Sequence, residues 1–303
     1  MKVSVVIPTT GRPTVTAAVE SVLAQRFTGD IEVLVVADMA GDPQIPRDPR
    51  IQALRVGPRA GANVARQHAV DRASGDLVAF LDDDDTWHPD KLTRQIDHVR
   101  AYVDITGHTP WVAATCATVT TDSGSEIWPR RVIGPHEDFA KYIFRLRSLR
   151  MGASFLQTSS LLMPLWIVRD VVRFEPCQRV HQDLGWVLDF RERYPTAPIL
   201  QTPEALVDYR IASDGISRRF AIDDSMRFGF SRLSDRKHLL ADFLLTFPVE
   251  RAAADSDHAF IRHMLREATR IGCPSRFALC RAMIKYVQAV RRSRAETAIK
   301  VTR

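Results

Sequence analysis

The chain has 303 residues, 45% of them hydrophobic, and a formal charge of +6. That length can bury one large core and a helical extension, and the lack of any 18-residue apolar run argues against a membrane-spanning helix. The basic excess is confined to the C-terminal part: residues 221–303 hold 16 basic and 9 acidic residues, while residues 1–220 hold 26 and 27.

Met1-Lys2 leads directly into Val3-Ser4-Val5-Val6-Ile7, a near-continuous apolar strand, so no signal peptide is expected. A turn of small and basic residues follows, Pro8-Thr9-Thr10-Gly11-Arg12-Pro13. Thr14 can cap a helix whose apolar positions Val15, Ala18, Val19, Val22 and Leu23 recur at helical spacing. Ile31 to Val36 reads as a second strand closed by Ala37-Asp38, and Ile51 to Val56 as a third. Gly57-Pro58-Arg59-Ala60-Gly61 then opens a helix carrying Val64, Ala65, Ala69 and Val70. Strands alternating with such helices predict βαβ units and a mostly parallel, Rossmann-like α/β sheet.

The fourth strand, Leu77-Val78-Ala79-Phe80, delivers Leu81-Asp82-Asp83-Asp84-Asp85. Four adjacent carboxylates repel one another unless something neutralises them. Hard Mg²⁺ or Mn²⁺ does so while keeping positions open for phosphate, and in open α/β sheets ligands sit at the carboxyl ends of strands. A solvated acidic turn is the plain alternative.

In the second half, Trp111 to Thr120 and Glu126 to Ile133 read as two strands of a hairpin around Thr121-Asp122-Ser123-Gly124-Ser125. Residues 135–150 look helical, Phe155 to Met163 reads as a strand, and a helix over 184–193 follows His181-Gln182-Asp183. Asp183 would suit the N-cap of that helix. Ala205 to Arg210 reads as a further strand.

The order PTTGR, an Asp after the second strand, GANVAR, then SGDLVAFLDDDDTWHPDKL resembles the family 2 glycosyltransferases of the GT-A fold, densely over residues 1–92 and thinly to about 220. The resemblance implies an inverting, metal-dependent transferase that moves a sugar from a nucleotide-diphosphate sugar, UDP-sugar favoured, to a glycan, lipid-linked or small-molecule acceptor. It divides the chain into a domain at 1–220 (nucleotide-sugar half 1–110, acceptor half 111–220) and a basic, mainly helical extension at 221–303. It implies Asp84 as direct metal ligand, with Asp82 and Asp83 at the ribose or reaching the Mn²⁺ or Mg²⁺ through water. Asp38 would bond the base, Pro8 and Thr9 flank it, and Arg12 and Arg66 meet phosphate. Asp183 would be the general base, with Trp87, His181, Gln182 and Arg210 on the acceptor side. The chain departs from the family at Ala37, Gly11, Gln67, Met39-Ala40 and Gln182, and carries Ala212 where a His is common, a contact that Ser217, Arg218 or Arg219 could replace.

Two readings from other classes stay open. Asp82-x-Asp84-x-Thr86 also satisfies the signature of haloacid-dehalogenase-like phosphatases, in which the first Asp is a nucleophile. A catalytically silent sugar-nucleotide-binding module is the other. Cys116, Cys177, Cys273 and Cys280 lack metal-ligand spacing and read as thiols of a reducing, cytoplasmic compartment. The basic C-terminus, ending in Arg291-Arg292-Ser293-Arg294, fits a solvated helix face or an amphipathic helix drawn to anionic membrane. No aromatic interleaving points to nucleic acid.

Overall fold

The computed structural model describes residues 1–105, 109–121, 124–210 and 222–301, with side chains as far as residue 293. The chain divides into two compact units, Met1–Phe139 with Ser154–Ala212, and Ala140–Ala153 with Ser213–Arg303. The segment 140–153, assigned to the first domain from the sequence, is therefore part of the second unit.

The first unit is built on β1 (Lys2–Thr9), α1 (Val15–Leu23), β2 (Asp30–Ala37), β3 (Ile51–Arg55), α2 (Ala62–Val70) and β4 (Leu77–Phe80). It continues through β5 (Thr86–Trp87), α3 (Lys91–Arg100), β6 (Val112–Thr121), β7 (Gly124–Trp128), β8 (Leu162–Pro164), α5 (Gln182–Arg193) and β9 (Ile199–Arg210), while α4 (Phe139–Phe144) lies almost wholly in the second unit. The strands form one sheet in the order β3-β2-β1-β4-β8-β6-β9-β5, with β7 paired to β6. The β3-β2-β1-β4 part is parallel, as expected from the alternating pattern, whereas β8 runs antiparallel to β4 and β6. β1 lies between β2 and β4, with Val6 in register with Leu34 and Phe80. The carboxyl ends of β1 and β4 therefore open side by side where the strand order reverses, the position at which such sheets bind ligands.

β1 is buried at every position from Val3 to Thr9, which explains its near-continuous apolar sequence. Val3, Val5 and Ile7 pack with Val33 and Val35 of β2 and with Val15, Ala18, Val19 and Val22 of α1, and the same core runs on through Trp87, Leu92 and Trp111. Each fully buried aliphatic side chain contributes about 1.5–3 kcal/mol, enough to fix the sheet beneath the exposed strand ends.

Four local expectations are corrected. Thr14 precedes α1 but makes no side-chain cap bond. The predicted strand 126–133 ends at Trp128, because Pro129 has no N–H to offer the ladder. Within 135–150 only Phe139–Phe144 is α-helical. The predicted strand 155–163 is a 3₁₀ turn, Thr158–Ser160, followed by the short β8. There Ser160 Oγ donates to Gln157 O at 2.7 Å, a local bond that competes with strand pairing. Asp122 and Ser123 of the hairpin turn, and Ala212, Ser217, Arg218 and Arg219, lie outside the described residues.

The second unit contains α6 (Ile222–Leu233), α7 (Lys237–Leu244), α8 (Phe247–Ala254), α9 (His258–Ile271) and α10 (Arg276–Val301). Phe144, Phe228, Phe243 and Phe247 form an aromatic cluster with centroid separations from 5.1 to 6.3 Å. The fully buried Asp242 accepts from Arg145 Nη1 at 3.1 Å, Leu146 N at 2.9 Å and Ser275 N at 2.6 Å, which joins segment 140–153 to α7 and the start of α10. Among the described residues no helix is long and apolar enough to cross a membrane.

Candidate active site

Leu81 N still bonds Val6 O at 3.0 Å, and beyond it the chain leaves the sheet. Asp85 N donates to Asp82 O at 3.2 Å, so the four aspartates fan out from one turn at the β1/β4 mouth. The carboxylates differ in their surroundings, and Asp83 and Asp84 share one partner. Asp82 accepts from Arg66 Nη2 at 2.7 Å. Asp83 accepts from Thr9 Oγ1 at 2.6 Å and from Arg12 Nη1 at 3.2 Å, and Asp84 is also held by Arg12 Nη1. Asp85, 1% exposed, accepts from Ser159 Oγ at 2.5 Å and Gln157 Nε2 at 3.2 Å through Oδ2, while its Oδ1 has no partner.

Among the described residues two guanidinium groups thus face four carboxylates. Burial pushes the carboxyl groups of Asp83 and Asp84 above the ordinary carboxylate range, with further upward pressure on each from Asp82. Asp85 is pushed up furthest, by burial first and then by Asp82 and Asp84. Among the described residues the cluster has fewer cations than carboxylates, and the carboxylates offer hard oxygens, so it fits a hard divalent cation. Among the described residues, no three His, Cys, Asp or Glu side chains converge as a ready-made cation cage. Asp82 and Asp84 offer two carboxylates, and Mg²⁺ ordinarily takes one or two, completing its shell with water and phosphate oxygens.

Asp183 enters the same cluster from α5. Burial pushes its carboxyl up to about 6; the Leu184 N–H and Arg66 pull it down, and Asp82 pushes it further up. The residue is half-buried. The N-cap of α5 is His181, held in the left-handed region at φ 53°, and Asp183 sits in the first turn with Oδ1 accepting from Leu184 N at 2.8 Å. The expectation of Asp183 as N-cap is corrected accordingly. Burial lowers the His181 imidazole to about 4, so it is neutral at physiological pH.

Several sequence-derived positions have other partners than expected. Arg66 is not at the open face: it is 3% exposed, and beside Asp82 it donates from Nη1 to Gln182 Oε1 at 2.8 Å and to Asn63 Oδ1 at 3.3 Å. It therefore links α2, the aspartate turn and the start of α5. Gln182 completes that link by donating to Gln178 O at 3.0 Å. Asp38 accepts from Ala60 N at 2.7 Å and Gly61 N at 2.8 Å, which pins the loop entering α2. Pro8 is buried within β1, and the Thr9 hydroxyl is committed to Asp83. Trp87, expected on the acceptor side, is 4% exposed; its indole donates to Ser159 O at 2.8 Å and Lys91 Nζ stands 3.8 Å from its ring centre, so it packs in the core beside the aspartate turn. Arg210 is exposed at the end of β9.

Three residues escaped the sequence reading. Ser159 and Gln157 position Asp85, and Ser159 Oγ also accepts from Asp82 N at 3.0 Å. Their signal was the hydroxyl run Thr158-Ser159-Ser160, which breaks the alternation of the apparent strand. Tyr209 of β9 is the third: burial raises its phenol, and Asp85, Asp82, Asp183 and Asp84 raise it further, so its ring belongs to the same pocket. Asp82 follows the fourth strand in chain order, whereas the phosphatase signature belongs on a first strand.

The chain is 26% identical over 190 residues to the amylovoran biosynthesis glycosyltransferase AmsB of Erwinia amylovora, covering 59% of this chain and 60% of that protein. It is 37% identical over 100 residues to the UDP-Glc:alpha-D-GlcNAc-diphosphoundecaprenol beta-1,3-glucosyltransferase WfgD of Escherichia coli, covering 31% of this chain and 39% of that protein. The chain thus spans less than two thirds of either relative. The crystal structure of S. aureus TarS 1-349 in complex with UDP-GlcNAc superposes with a TM-score of 0.56 at 15% identity, over 96% of this chain and 90% of that one. The fold is the GT-A-type α/β fold with C-terminal helices expected from the sequence. Residues 4–151 match the family described as "Glycosyl transferase family 2".

Proposed function

We propose that the protein transfers a sugar from a UDP-sugar to an acceptor hydroxyl with inversion, in the synthesis of a cell-surface polysaccharide or glycoconjugate. The observation that carries this reading is the charge-deficient aspartate turn at the β1/β4 mouth, sharing its pocket with an Asp183 whose carboxyl stands at about 6. The UDP-GlcNAc of the TarS complex and the donor in the WfgD name support a uridine nucleotide. The acceptor in that name supports a lipid-linked diphosphate glycan.

In this reading Asp183 accepts the proton of the acceptor hydroxyl as that oxygen forms its bond to the anomeric carbon. The bond from that carbon to the diphosphate oxygen breaks on the opposite face, which inverts the centre. A carboxyl near 6 is ionised at neutral pH yet basic enough to assist, as a general base should be. Arg66 and Gln182 hold the start of α5 against the aspartate turn, and so fix Asp183 relative to the donor. Asp84, with Asp82, would hold Mn²⁺ or Mg²⁺, and Asp83 stays with Thr9. The bound ion supplies Lewis-acid stabilisation of the diphosphate leaving group. Asp38, at the end of β2, reaches the base with the acceptor capacity left over from Ala60 and Gly61.

Thermal shift with UDP, GDP and dTDP, each with and without Mn²⁺, tests the donor reading. Saturation to about 100 times Kd stabilises the folded state by about 2.7 kcal/mol, and UDP with Mn²⁺ should give the largest rise. Absence of a rise with every nucleotide in both conditions would remove the basis of the proposal.

A further inference from the structure

The helix α10 packs through one face and leaves the opposite one bare. Ala278, Ala282 and Ala289 are fully buried, and on the adjoining flank Arg281 and Lys285 pair with Glu250 of α8 at 2.6 and 2.8 Å. On the far side Met283, Ile284 and Val287 are 48%, 47% and 43% exposed. With the exposed Cys280 they stand at i, i+3, i+4 and i+7, the spacing of one continuous helical stripe. The exposed Met151 adjoins the same helix, with its Sδ 3.0 Å from Arg281 Nη2.

Charge frames the stripe at both ends. Arg276 precedes it and Arg291 and Arg292 follow it, all exposed, and residues 276–294 hold six Lys and Arg and no Asp or Glu. A stripe of unbranched and branched apolar side chains between arginines matches a surface that is apolar beneath and anionic on top. We propose that this face of α10 docks on an anionic lipid bilayer, with Met283, Ile284 and Val287 inserted at the acyl boundary and Arg276, Arg291 and Arg292 at the headgroups. A merely solvated helix has no use for three large apolar side chains in a row opposite its packed face. The inference does not depend on the donor chemistry, but it would hold the enzyme where a lipid-linked acceptor resides.

The test is co-sedimentation of the full chain with phosphatidylcholine vesicles and with vesicles containing phosphatidylglycerol. Binding is expected only to the anionic vesicles, weakening as salt rises from about 0.1 M to about 1 M. The triple variant Met283→Ser, Ile284→Ser, Val287→Ser should lower partitioning by about tenfold or more, and Arg291→Gln with Arg292→Gln should abolish the preference for anionic lipid. These side chains are exposed, so melting temperature should stay at the wild-type value in each variant. Failure of the wild type to bind anionic vesicles overturns the proposal, as does undiminished binding by the triple variant. A stripe-dependent dimer in lipid-free solution without vesicle binding also overturns it, in favour of a second copy of the chain. UDP-induced stabilisation, read on the same samples, reports separately on the sugar-transfer reading.

Discussion

Asp85 in the first unit and Asp242 in the second are buried to the same degree, 1% and 0% exposed, yet their surroundings differ sharply. Both oxygens of Asp242 are occupied: Oδ1 by Arg145 and Ser275 N, Oδ2 by Leu146 N. Asp85 uses Oδ2 only, with a serine and a glutamine, and it feels the like charges of Asp82 and Asp84. A buried charge is tolerated when it is paired and hydrogen-bonded, and is costly otherwise. Asp242 is therefore a fastener that serves the fold. The aspartate turn is held in a state the fold alone does not favour, which is what a site awaiting a ligand of opposite charge looks like.

The sharpest way to break this contrast is to remove one carboxylate from each side. Asp84→Ala should abolish nearly all transfer, because the diphosphate loses its counter-charge, while the melting temperature of the unliganded protein stays level or rises as repulsion within the turn is relieved. Transfer close to the wild-type rate, or wild-type activity untouched by EDTA, would show that the turn is not the donor site.

Asp183→Asn should come next in size. Turnover falls by roughly 10²–10⁴ while donor affinity survives, since the base faces the acceptor. In the wild type, turnover should rise about tenfold per pH unit at low pH and level off above about 6, following ionisation of Asp183. The variant should lose that rising limb. A limb that persists in Asp183→Asn would assign the base elsewhere.

How legible these two regions were in the sequence follows from the kinds of force that shape them. The parallel half of the sheet could be read almost strand by strand, because β1, β2 and β4 are buried on both faces and their apolar runs have no other use. The aspartate turn was legible as well, since four adjacent carboxylates need a physical reason. The partners of Arg66 were not: an arginine at helical spacing reads as surface, and only the fold shows that Asp82 and Gln182, residues far apart in the chain, converge on it. The burial of Trp87 was not legible either, since an aromatic beside the acidic turn invites a ligand and only the fold shows its indole donating to Ser159 O in the core. Asp38 combined both problems, because its bonds to Ala60 and Gly61 are made to backbone, which leaves no mark in the residue types. The role of Asp242 was invisible, because its three donors lie 97, 96 and 33 residues away in the chain and two of them are backbone N–H groups.

The same substitution, Asp→Asn, sharpens the contrast through stability alone. Asp242→Asn puts an amide NH₂ against one of the N–H donors that the carboxylate now accepts, and it strips Arg145 of its charged partner. Loss on the order of 2–4 kcal/mol is expected, read as a lowered urea midpoint.

Asp85→Asn should move stability the other way by a smaller amount. The folded-state carboxyl of Asp85 titrates well above its unfolded value. Above the unfolded pKa, near 4, the unfolded chain releases this proton while the folded protein keeps it or bears an unfavourable charge. Wild-type stability should thus fall as pH rises from about 4 toward neutrality. Asparagine keeps an oxygen for Ser159 and Gln157 and removes the charge, so the variant should match the wild type near pH 4 and exceed it by about 1 kcal/mol at pH 7. Asp82 and Asp84 would feel one like charge fewer, and Mn²⁺-dependent nucleotide binding should weaken in parallel. Urea midpoints of both proteins across pH 4 to 8 decide the matter. If Asp85→Asn loses as much stability at pH 7 as Asp242→Asn, the carboxylate of Asp85 is a structural fastener too, and the contrast between the two regions disappears.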